Sequence, residues 1–106
     1  MELKLNIYEG KEIIKTYTAE TIDFSFGIIE DIMDVLDLEN MKSKNDLVLA
    51  VAKCSKQLKP FLMDMFAPVT SDEIRKTRIK DIIVIFKQLF DYAQTELGLA
   101  VGKEKN

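Results

Sequence analysis

Histidine and tryptophan are absent from this chain of 106 residues, and cysteine occurs once, at Cys54. Without a Cys/His cluster the usual zinc donor set is missing, and without histidine there is no Ser-His or Cys-His pair for nucleophilic catalysis. One thiol forms no internal disulfide, which fits a reducing cytoplasm. Glycine and proline are sparse, at four and two residues, so neither a flexible linker nor a Pro-rich segment makes up much of the chain. The glycines at 10, 27, 98 and 102 are isolated, and no P-loop, GxGxxG or GxSxG motif is present. No stretch approaches the roughly 18 uninterrupted apolar residues of a membrane span. The start, Met1-Glu2-Leu3-Lys4-Leu5, lacks the basic and apolar regions of a secretory signal.

What is present is 47% hydrophobic and 31% charged residues with a formal charge of -3, the composition of one folded domain. The acidic balance argues against a main role in gripping nucleic acid phosphates. We expect a single domain over residues 1–98 and a flexible tail over 99–106, where too little apolar material remains to bury.

Residues 3–8 alternate apolar and polar with period two, and residues 13–18 are rich in β-branched and aromatic types; both read as strands. The four residues between them, Glu9-Gly10-Lys11-Glu12, suit a short hairpin loop. Residues 24–38 then turn helical in pattern, capped by Asp23 or Ser25. Ile28, Ile29, Ile32, Met33, Val35 and Leu36 share one broad face, and Glu30, Asp31, Asp34 and Asp37 share the other.

A second helix is expected from Asn45 as cap, with Leu47, Val51, Cys54 and Leu58 as its core stripe and Lys53, Lys56 and Lys59 opposite. Pro60 either kinks it or opens a new segment over Pro60 to Phe66, which Ala67-Pro68-Val69 ends. Thr70 and Glu73 have the spacing of a capping box, so a helix starts near Ser71. The basic stretch Arg75-Lys76-Thr77-Arg78 is either continuous helix or a short break. From Ile79 to Leu97 the stripe Ile79, Ile82, Ile83, Phe86, Leu89, Phe90, Ala93 and Leu97 is strong, and Gly98 stops it. The fold expected is α+β, an N-terminal β-hairpin packed on a three- to four-helix bundle.

The candidate functional residues are apolar or charged, not catalytic. Phe61-Leu62-Met63-Asp64-Met65-Phe66 is apolar at five of six positions, more than one helical face needs, and methionine-rich surfaces adapt to varied apolar partners. Leu49, Phe61, Met63, Phe66, Val84, Ile85 and Tyr92 are the candidate client or oligomer interface. Acid and base are segregated: residues 19–39 hold no Lys or Arg, residues 42–59 hold five Lys and one Asp, and residues 75–80 hold four basic residues and no acid. Glu30, Asp31, Asp34 and Asp37 on one side, and Lys53, Lys56 and Lys59 on the other, are therefore candidate docking faces as well as ordinary solvated ones. Asp31, Asp34 and Asp37 follow helix spacing with no calcium-loop glycine, so no metal is expected. A Ser55–Lys59 dyad is sterically allowed but reads as an exposed face. Neither a cofactor nor an enzyme activity is expected.

The order of hairpin, acidic helix Phe26-Gly-Ile-Ile-Glu-Asp-Ile-Met-Asp-Val-Leu-Asp, second helix, Val69-Thr-Ser-Asp-Glu-Ile and final helix Lys80-Asp-Ile-Ile-Val-Ile-Phe-Lys-Gln-Leu-Phe resembles the tail assembly chaperones of long-tailed phages and prophages of Gram-positive bacteria. The likeness spans nearly the whole chain and lies in order and spacing rather than in any one motif. It implies a non-enzymatic protein of the host cytoplasm, absent from the finished virion, that holds the helical tape measure protein soluble while tail tube subunits assemble. It also implies homo-oligomers and a longer form made by ribosomal frameshifting. Glu104-Lys105-Asn106 is encodable as GAA AAA AAC, which contains the slippery heptamer A AAA AAC; the gene sequence at those codons tests this directly. The alternative is a small regulatory or DNA-binding adaptor using Arg75, Lys76, Arg78 and Lys80 on phosphates, which a salt-dependent shift with random duplex DNA would separate.

Overall fold

Period-two alternation at the N-terminus becomes strand β1, Glu2–Glu9, paired antiparallel with β2, Glu12–Glu20. The structure, a computed structural model, describes residues 1–37, 43–96 and 98. The hairpin loop is shorter than the sequence pattern suggests. Glu9 pairs with Glu12, leaving a two-residue turn at Gly10-Lys11 in which Gly10 takes φ +60°, a conformation glycine reaches without strain. The register slips between Ile7 and Tyr8: Ile7 faces Lys15, Tyr8 faces Ile13, and Ile14 is the extra residue of a bulge. Leu3, Leu5 and Ile7 are buried, whereas Ile13 and Ile14 on β2 are both exposed, so β1 supplies the fully buried residues and β2 only the partly buried Tyr17 and Ala19.

A single 3-10 turn, Thr21–Asp23, leads into α1, Phe26–Leu36. Of the two candidate caps, Ser25 serves: its hydroxyl accepts from the Ile28 amide at 3.1 Å. Asp37 closes the helix in the left-handed region at φ 56°. Next come α2, Lys44–Lys53, and α3, Ser55–Met65. Here the expectation needs correction. Ser43, not Asn45, occupies the cap position of α2. The chain breaks at Cys54 and not at Pro60, which lies inside α3. The stripe Leu47, Val51, Cys54, Leu58 runs without a phase change, so periodicity conceals the break. Its reason is tertiary: α2 packs on α5 while α3 packs on α1, and one straight helix would not serve both. The Cys54 thiol donates to the Val35 carbonyl of α1 at 3.5 Å.

The capping box forms as expected and opens the single-turn α4, Ser71–Ile74. Arg75–Arg78 is a break, and α5 runs from Ile79 to Thr95. Four helices of ten residues or more, one extra turn and the hairpin therefore make up an α+β fold. β1, α1, α2, α3 and α5 share one hydrophobic cluster. The expectations at Leu97, over the tail 99–106 and at Glu104, Lys105 and Asn106 lie outside the described residues.

The break at 75–78 is explained by what it does to the hairpin. Lys76 offers its carbonyl to the Tyr8 amide at 2.9 Å. Arg78 stacks over the Tyr8 ring, 4.6 Å from its centroid, and donates to the Gly10 carbonyl. The Tyr8 hydroxyl donates to Asp81 at 2.7 Å, and that bond holds the phenol above its usual pKa. On the other strand the Tyr17 hydroxyl donates to Glu73 at 2.7 Å, and Lys15 lies 3.5 Å from the same carboxylate. A hairpin of two strands is marginal in water, and these ties to the α4–α5 corner supplement the burial of β1.

Glu73 collects the Tyr17 hydroxyl, the Thr70 amide and the Lys15 charge, which lower its pKa from 4.5 to about 2. The folded value lies below the unfolded one, so the stability it contributes is full above pH 4.5 and is lost as pH falls from there towards 2. Replacing Glu73 with Gln is expected to flatten that part of the profile. Urea midpoints of the two proteins across this acid range check it; parallel profiles would refute the assignment.

Candidate functional site

The seven apolar candidates divide three ways. Leu49 and Val84 are exposed, at 60% and 51%. Phe61, Met63 and Tyr92 are half-buried. Phe66 and Ile85 are in the core, at 0% and 1% exposure, and are unavailable to a partner; both are withdrawn as interface residues. Phe66 ends α3 facing inward, and Ile85 joins Ile82, Phe86, Leu89 and Ala93 on the buried face of α5. The reason is that α5 packs against both β1 and α2. Its buried arc is turned from the expected stripe: Ile79 is 52% exposed, and Ile83 and Phe90 are half-buried.

The exposed candidates do not form one patch. Leu49 lines a depression with Asp37, Asp46 and Lys53. Val84 lines another with Lys4, Asn6 and Asp81, beside β1. Phe61 lines a third, an open groove of about 530 Å³ between the start of α1 and α3. Phe24 and Ile28 share its wall with Phe61, and Asp23, Asp31 and Asp64 stand around it. On the other side of α3 a groove of about 280 Å³ is lined by Leu58, Leu62, Ile74 and Ile82, with Lys56 and Lys59 along it and Ile79 exposed beside them.

The charged candidates are redistributed by the break at Cys54. Lys53 belongs to α2 and faces the Leu49 depression, whereas Lys56 and Lys59 belong to α3 and the smaller groove. Glu30, Asp31, Asp34 and Asp37 are all exposed on α1, and only Asp31 reaches the larger groove. Of the four basic residues 75–80, Arg78 is engaged with the hairpin. Among the described residues no group of three or more acids or thiols is placed to hold a metal ion, and no helix is long and apolar enough to cross a membrane.

Sequence reasoning offers Asp23 only as a helix cap and Asp64 only as the polar position of an apolar segment, and it passes over Ile22 and Phe26, which adjoin the lining of the larger groove in sequence. Ile22 and Phe26 are the most exposed large apolar side chains among the described residues, at 79% and 61%. The signal was local: Ile22-Asp-Phe-Ser-Phe carries three large apolar residues around a cap, where a hydrophobic staple uses one. No family model, curated protein or solved structure matches the chain.

Proposed function

We propose that this chain is a non-enzymatic tail assembly chaperone of a long-tailed phage or prophage, acting in the host cytoplasm and absent from the finished virion. It binds the tape measure protein, keeps that apolar helical chain soluble while tail tube protein assembles, and self-associates. One observation carries the reading. Ile13, Ile14, Ile22, Phe26, Leu49, Ile79 and Val84 are each more than half exposed, spread over the hairpin, the 3-10 turn, α1, α2 and α5, in a domain that leaves single apolar residues outside but has little reason to leave neighbours such as Ile13 and Ile14 together. Adaptable apolar surface on several faces suits a holder of long helical clients.

Co-expression with the tape measure reading frame from the same genome tests this. The client is expected in the soluble fraction, co-eluting with the chain, and insoluble without it. A client equally insoluble in both cases, or soluble but never co-eluting, overturns the proposal.

A further inference from the structure

We propose that the groove between the start of α1 and α3 is the docking site for a partner helix carrying Lys or Arg beside apolar side chains. This rests on the client-binding reading above and names the surface and the partner chemistry it uses. The lining mixes apolar and polar groups: Phe24, Ile28, Phe61 and Met65 supply its apolar part, and the charges that line it with them, Asp23, Asp31 and Asp64, are of one sign. All three carboxylates are exposed, and none has an ion-pair partner among the described residues. They are not arranged as a chelating cluster, so their charge acts as a field that favours a cationic approach and disfavours an anionic one. Ile22 and Phe26, the two most exposed large apolar side chains among the described residues, adjoin the lining residues in sequence. A helix matches the shape, because the groove runs between two helices and a third lays its ridge into such a channel.

The probe is a synthetic amphipathic helix of Leu and Lys at helical spacing, with the same peptide bearing Glu for Lys as its counterpart. Titration calorimetry and backbone chemical-shift mapping read the result. The Lys peptide is expected to bind, more weakly as salt rises, with shifts at Phe24, Ile28 and Phe61, and the Glu peptide is expected not to bind. Phe26→Gln, which touches no core position, and the pair Asp31→Asn with Asp64→Asn are each expected to weaken binding roughly tenfold. The pair Glu9→Gln with Glu12→Gln makes the same charge change at the hairpin tip and is expected to alter binding by less than about twofold. Equal weakening by both pairs would show attraction to net charge alone and overturn the groove. Shifts confined to Lys56 and Lys59, or to a contact between copies of the chain, would overturn it too. The chaperone reading fails separately: a peptide seated in the groove with no tape measure protein held soluble keeps the groove and removes the chaperone.

Discussion

Lysine at position 85 is expected to leave the chain unfolded, whereas lysine at position 84 leaves it folded. Ile85 is 1% exposed and Val84 is 51% exposed, although they are neighbours on one helix and alike in hydropathy. Ile85→Lys removes a branched side chain from the hydrophobic cluster and places an ammonium group among its buried apolar side chains. Truncating such a residue costs about 2–5 kcal/mol, and an unpaired buried charge adds several more. Together these approach the whole stability of a domain of this size, about 5–15 kcal/mol. At 84 the ammonium reaches water with Asp81 one turn back, so the change stays within about 0.5 kcal/mol. Far-UV circular dichroism and a urea titration separate the two. A cooperative, near-native melt for Ile85→Lys would mean that α5 is rotated from the orientation described.

Those adjacent positions also show where sequence reading stops. The stretch Ile82-Ile83-Val84-Ile85-Phe86 is apolar throughout, so the line through 82, 86, 89 and 93 is legible but its flank is not. Choosing 85 over 79 and 83 requires knowing that the helix packs against both β1 and α2. The hairpin, the Thr70–Glu73 box and the choice of cap for α1 down to Asp23 or Ser25 are readable because each is a contact between residues near in sequence. The breaks at Cys54 and at 75–78 were not settled locally, because one reflects two different helical partners and the other reflects ties from Lys76 and Arg78 to Tyr8 and Gly10. The larger groove was half visible. Phe61 and Asp31 were singled out for their own segments, but their meeting, with Phe24 and Asp64 beside them, belongs to the packing of α1 on α3.

Alanine at position 60 is expected to stabilise the chain. Pro60 is the sixth residue of α3, past the first turn where proline costs nothing, so it supplies no N–H for the Lys56 carbonyl and sets its ring against that carbonyl. In a helix interior the penalty relative to alanine is about 3 kcal/mol. Two effects reduce the gain. Proline restricts the unfolded chain, which offsets about 0.4–1 kcal/mol, and Lys56 lies on the exposed side of α3, where hydration of an unpaired carbonyl lowers the cost of the missing bond. Because Pro60 is itself exposed, little burial is lost on truncation. A net gain of about 1–2 kcal/mol remains, which raises the melting temperature by roughly 5–10 °C. A lower melting temperature would show that α3 needs the proline to hold its course. The neighbour of Pro60 is Phe61, in the wall of the acidic groove. A local rule broken beside a residue of the proposed docking groove is where stability and function are expected to trade against each other. The same Pro60→Ala protein, more stable and with α3 regularised, is therefore expected to hold the Leu/Lys helix less well. Unchanged affinity in the stabilised protein would show that the proline shapes nothing in the groove.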